Sequence, residues 1–165
     1  MNLRIVQFAA ILLTALALVP GGAHLLELLN KLALDQEHYM VVQQIYRGWA
    51  LTGIVLIGAV LVNVILAILT REQTTAMICA AGAAVLLCVT LAIFFTWTFP
   101  VNQATANWSA VPDDWLASRA RWEYSHAVNA ILTFFALCAT IASGLAWVDH
   151  PFLTQRTETK TAGNR

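Results

Sequence analysis

Charged side chains are missing from four long stretches of this chain. Residues 5–26, 48–70, 73–112 and 124–148 contain no Asp, Glu, Lys or Arg. Each stretch holds an apolar core of about 18 residues or more, enough to cross a bilayer as a helix. The first predicted span covers 3–28, and Pro20-Gly21-Gly22 near its far end should kink or loosen it. A turn follows at 30–34, and Asp35 is a good N-cap for what comes next. Residues 36–46 are amphipathic and run into the apolar stretch 48–69, with no Gly or Pro between them before Gly48. One continuous helix over 36–69 is expected, about 50 Å long and about 20 Å longer than the hydrocarbon core requires. Its first third should stand clear of lipid. Residues 71–75 make a tight connection, and span three runs from 75 to 99, where Pro100 stops it. After a long connection over 101–112, Asp113 or Asp114 caps a last helix that ends near 148 and is also longer than a membrane needs.

The expected fold class is therefore all-α: a four-helix transmembrane bundle, with helices two and four extended beyond the membrane on the same side. Residues 1–150 form a single domain, and 151–165 form a polar, Thr-rich, disordered tail. Both termini lie on one side. That side carries Arg4, Arg71, Arg156, Lys160 and Arg165, against Lys31, Arg47, Arg119 and Arg121 on the other. The bias points to cytoplasmic termini. Residues 1–4 and 15–17 have elements of a signal peptide, but the apolar character continues past Gly22, so a retained span is expected.

Composition narrows the class further. Of 165 residues, 59% are hydrophobic and only 11% charged, about half the charge of a soluble domain. Net charge is zero, which gives no basic surface for nucleic acid. The partners this implies are the lipid bilayer and a lipophilic small molecule, and a homo-oligomer is compatible with the composition. Cys79, Cys88 and Cys138 lie in apolar runs without a CxxC and read as packing residues. Asn63 reads as an interhelical hydrogen-bonding residue, and Gly53 and Gly58 as points of close packing.

The ionisable residues gather at one end. His24, Glu27 and Lys31 share a face of helix one at i, i+3, i+7. Trp122, His126, Asn129 and Thr133 form a polar stripe on the last helix, preceded by Arg119 and Glu123. Helix two offers His38, Tyr39, Gln43, Tyr46 and Arg47. Three readings stand side by side. Interfacial residues can pair with one another and with headgroups. His24 and His126 can act as proton donors or acceptors oriented by Glu27 and Glu123. Alternatively, the mirrored pairs His24-x-x-Glu27 and Glu123-x-x-His126 can hold iron, manganese or zinc, as bundle-core di-metal sites do. Trp49, Trp97, Trp108, Trp115 and Trp122 read either as an interfacial aromatic belt or as the walls of a pocket for a flat ligand.

The run Phe99-Pro100-Val101-Asn102, then Asn107-Trp108, then Trp122-x-x-x-His126-x-x-Asn129, resembles a family of four-span membrane proteins. It is known as the domain of unknown function 1772, or anthrone oxygenase-like family. The likeness is concentrated in residues 95–135, and Asn129 stands where many members carry Arg. The residues 22–31 and 44–49 look like bacterial members, which implies a bacterial inner membrane. The resemblance implies oxidation of polycyclic anthrones to anthraquinones by molecular oxygen, at a site lined by Asn102, Trp108, Trp122 and His126. Taken together, His126, His24, Glu27 and Glu123 are the candidate catalytic residues. Asn102, Trp108, Trp122 and Asn129 are candidate substrate contacts, and Lys31, Arg47 or Arg119 would stabilise an anion. No cofactor, or one of the three transition metals, fits this set. The alternative is a non-enzymatic membrane subunit or a lipid- or ligand-binding module. A transporter is disfavoured by the lack of an inverted repeat.

Overall fold

The computed structural model describes residues 2–148. The expected tail lies outside them. All regular structure among the described residues is helical: α1 (Leu3–Leu32), α2 (Gln36–Gln43), α3 (Gly53–Leu69), α4 (Thr74–Ile93), α5 (Phe99–Ala104) and α6 (Trp115–Ala146). Three helical stretches are long and apolar enough to cross a membrane: Leu3–Leu32, Thr74–Ala104 and Trp115–Ala146. α3 is apolar but shorter, at 17 residues. α1 packs on α3 and α6, and α4 packs on the same two helices.

The packing has small residues inside and large ones outside. Ala10, Ala59, Ala76, Ala80, Ala83, Ala130 and Ala136 are buried, whereas Phe8, Ile54, Val85, Phe134 and Phe135 are exposed. In water this much exposed apolar surface would aggregate. In lipid it is the normal arrangement, because helix association there depends on close backbone approach and interhelical hydrogen bonds. Gly21 shows the approach: a Cβ there would lie 3.3 Å from the Ala130 backbone. Gly58 packs near Leu13, but Gly53 has nothing within 4 Å and is no packing point. Asn63 supplies the polar clasp. It donates to Thr14 Oγ1 on α1 at 3.1 Å and accepts from Thr140 Oγ1 on α6 at 2.9 Å. Cys88 and Cys138 are exposed and Cys79 half-buried, all as free thiols.

Two sequence expectations about the elements need correction. The continuous helix over 36–69 is broken. After α2 come a short 3-10 turn (Gln44–Tyr46), Gly48 at φ 89°, and a second 3-10 turn (Trp49–Thr52) before α3 begins. A φ of that sign ends a helix, and glycine adopts it at little cost. Span three does not stop at Pro100. A wide π-helical turn (Phe94–Thr98) precedes α5, which contains Pro100. Proline lacks an N–H and crowds the carbonyl four residues back; the wider turn accommodates both effects. α1 contains Pro20 and is one helix from Leu3 to Leu32.

The caps agree better. The Asp35 carboxylate accepts the His38 N–H at 2.9 Å, closing the start of α2. Asp114 occupies the N-cap position of α6, but its carboxylate takes the Ser118 hydroxyl at 3.0 Å rather than a backbone amide.

Candidate functional site

α1 ends and α6 begins at the same end of the molecule, and α2 crosses there. Tyr39 and Gln43 on α2 and Tyr46 in the 3-10 turn after it (i, i+4, i+7) are buried against them. An ion pair lies at the centre. Lys31 Nζ is 2.9 Å from Glu123 Oε2, with the two side chains 3% and 0% exposed. Charges this buried are costly unless each is fully partnered. Glu123 Oε1 accepts from the Tyr39 hydroxyl at 2.9 Å and from Gln43 Nε2 at 3.2 Å. Lys31 also lies 3.0 Å from His24 Nδ1 and 3.8 Å from Glu27 Oε2. An ammonium only donates, so Nδ1 accepts and the neutral His24 ring carries its proton on Nε2. The Lys31 ammonium further sits 4.9 Å from the Tyr46 ring centre and 5.2 Å from that of Trp122.

The imidazoles lie in an aromatic box. The His24 and His126 ring centres are 4.3 Å apart, with Tyr46 at 4.3 Å, Trp122 at 4.8 Å and Trp49 at 5.8 Å from His24. His24 is buried, whereas His126 is only half-buried. Tyr46 donates a hydrogen bond to the Glu27 carboxylate. Burial, together with that carboxylate, pushes the Tyr46 phenol well above its usual pKa; burial and Glu123 do the same to Tyr39. Both therefore remain protonated donors.

The connection after α5 closes the box. Ala106, Asn107 and Trp108 take φ values of 47°, 55° and 63°, three successive non-glycine residues in the left-handed region. Such residues cost about 1–2 kcal/mol each. Thr105 holds the turn: its hydroxyl accepts the Trp108 N–H at 3.1 Å, and its carbonyl accepts the N–H groups of Ser109 and Ala110. The turn buries Trp108 edge-on against Tyr39 at 5.1 Å and Trp122 at 5.7 Å. Trp122 Nε1 in turn donates to Asn102 Oδ1 at 2.8 Å. Trp108 Nε1, Gln43 Oε1 and Asn129 Oδ1 are buried with no hydrogen-bond partner among the described residues.

The structure thus brings together His24, Glu27, Lys31, Trp122, Glu123 and His126, with Asn102 and Trp108 behind Trp122. It places the partners differently from the sequence reading. The mirrored His–Glu pairs do not face each other as acid–base couples: Lys31, not a carboxylate, is bonded to His24. Among the described residues no group of three or more His, Cys, Asp or Glu can hold a metal ion. His24, Glu27, Glu123 and His126 are thus not gathered as such a group, and Lys31 lies between His24 and Glu123. Arg119 turns away from the imidazoles, donating to the Leu34 carbonyl at 2.7 Å and lying over Trp115 at 4.6 Å. Arg47 is exposed. Asn129 lies one turn deeper than His126 on α6. Tyr39, Gln43 and Tyr46 were legible only as polar residues of an amphipathic segment; their i, i+4, i+7 spacing is the signal that marks them as facing inward.

No known family model matches the chain, and no curated protein or solved structure is detectably similar to it.

Proposed function

We propose that this chain is a four-helix transmembrane bundle that oxidises a lipophilic aromatic molecule at the His24–His126 box. Support for four spans comes from α3 and the 3-10 turn before it, which together measure about 34 Å against a hydrocarbon core of about 30 Å. The basic-residue bias points to cytoplasmic termini, and the resemblance points to a bacterial inner membrane. The observation that carries the catalytic reading is the His126 ring lying 4.3 Å from that of His24 inside aromatic walls, with Lys31 bonded to His24. A neutral imidazole is a suitable base for an acidic ring methylene. The adjacent ammonium favours the anion that forms. The resemblance to anthrone oxygenase-like proteins supplies the co-reactant, molecular oxygen. Overall the methylene becomes a carbonyl, oxygen accepts four electrons, and its second atom leaves as water.

The test is oxygen uptake and quinone absorbance in proteoliposomes supplied with anthrone. His126→Ala should reduce the rate by about 100-fold or more. Equal rates for wild type and variant end this reading.

A second reading has its own observation. Lys31 and Glu123 are satisfied by each other and by Tyr39, Gln43 and His24, as a purely structural lock would be. A non-enzymatic membrane subunit or ligand-binding module would be built this way. Co-purification with one fixed partner after mild solubilisation supports it.

A further inference from the structure

A groove separate from the aromatic box runs along the outer seam between the π-helical turn and α6. It has a volume of about 420 Å³, and its lining includes Ile93, Trp97, Arg121, Tyr124, Ser125 and Val128. Its polarity is ordered along the helix axis. Arg121 stands at the end nearest the start of α6, and Val128 lies seven residues, about 10 Å, further into the span. Trp97 and Tyr124 lie between them in level, and Ile93 is one turn deeper on the opposite wall. Ser125 of the lining pairs with the Thr98 hydroxyl at 2.7 Å and donates to the Trp122 carbonyl, and no residue of the box lines the groove. Arg121 is exposed, and among the described residues it makes no ion pair or hydrogen bond. Arg119, two residues earlier, is instead spent on Leu34 and Trp115.

We propose that this groove is a binding site for one anionic glycerophospholipid, its phosphate on Arg121 and one acyl chain along Ile93 and Val128. The occupant follows from the match between groove and ligand: a free cation at the interface, aromatic rings at the level of the glycerol esters, and an aliphatic trough below. A neutral apolar molecule would leave Arg121 unused, and a soluble anion would leave the trough unused. The wide turn at Phe94–Thr98 makes the seam: it carries Trp97 onto the outer wall, and π turns recur at functional sites. The proposal rests on the membrane reading but not on the catalytic one.

The experiment delipidates the full-length protein in detergent. Phosphatidylglycerol or phosphatidylcholine is then added back, and the bound lipid is counted by native mass spectrometry. Wild type should retain phosphatidylglycerol about fivefold more tightly than phosphatidylcholine, the effect of one basic residue at an anionic headgroup. Arg121→Ala should remove the preference, and Arg121→Lys should keep most of it. Val128→Trp, which fills the trough and leaves Arg121 in place, should also lose it. Equal retention of both lipids by wild type, or a preference that survives Arg121→Ala, overturns the site. A preference that survives Val128→Trp reduces it to charge attraction alone and overturns the groove. Helical circular dichroism of each variant must match wild type. A protein that stays soluble when the detergent is removed refutes the membrane reading instead.

Discussion

Lys31 and Glu123 meet at 2.9 Å across the α1–α6 contact, both almost wholly shielded from solvent. The pair joins the two helices that carry His24 and His126, so it sets the spacing of the imidazoles. Removing one member of a buried pair costs about 3–5 kcal/mol, because the other charge is stranded. Lys31→Met strands Glu123 in this way. Glu123→Gln should cost less, since Glu27 lies 3.8 Å from the same ammonium. Lys31→Met combined with Glu123→Gln should be more stable than the sum of these two singles predicts. Unfolding in mixed micelles of a strong and a mild detergent measures all three. Strictly additive losses would show that the pair is not coupled.

Asn102 and Trp122 make the corresponding link between α5 and α6. Asn102→Ala leaves a buried indole N–H without its acceptor, at a cost of about 1–3 kcal/mol. Asn102→Asp keeps an acceptor and should recover most of that loss. Thermal melts followed by tryptophan fluorescence decide it; identical melting of the Ala variant and wild type would contradict the role assigned to this bond.

Much of this arrangement was legible in the sequence, and the remainder has physical reasons for having been hidden. Helical period placed His24, Glu27 and Lys31 on one face and Trp122 and His126 on another, and hydropathy placed those faces at the same end. Period alone could not say that Lys31 rather than a carboxylate would meet His24, because that depends on side-chain reach across α1 and α6. Nor could it show the break after Tyr46. An apolar run reads through a glycine, and only the positive φ of Gly48 reveals that α2 folds back over the site. The π turn was equally silent, since Pro100 announces a helix end but not the wide turn that carries the helix past it.

At the start of α2 the Asp35 carboxylate meets the His38 ring Nδ1 at 2.8 Å as well as its backbone N–H. The carboxylate raises the His38 pKa above its ordinary 6.5, and His38 lowers that of Asp35 below 3.8. The His38 contribution is therefore complete below pH 6.5 and fades as pH rises through the elevated folded-state value. The Asp35 contribution is complete above pH 3.8 and fades as pH falls through the depressed one. The start of α2 should be best protected between these limits. Hydrogen exchange of α2 amides, corrected for intrinsic rates, should show more opening at pH 8.5 than at pH 5.5, and His38→Ala should remove that difference. A flat profile in wild type would dismiss the cap as a pH-sensitive element.

Gly48 offers the cleanest test of whether the break in the second helix is written locally. Its φ is 89°, and a Cβ placed there would meet nothing within 4 Å. A substitution therefore introduces backbone strain without a clash. Gly48→Ala should destabilise by about 1–2 kcal/mol, the cost of a left-handed L-residue. Gly48→Asn should fall between, because Asn tolerates that region better. The consequence reaches the site: Ala favours a straight helix through residue 48, which would pull Tyr39 and Gln43 off Glu123 and Tyr46 off Glu27. Under the proposed function, Gly48→Ala should then lower oxygen uptake with anthrone as well as stability, whereas Gly48→Asn should keep more of both. If Gly48→Ala melts at or above the wild-type temperature, the bend is imposed by the contacts of α2 with α6, and the glycine merely permits it.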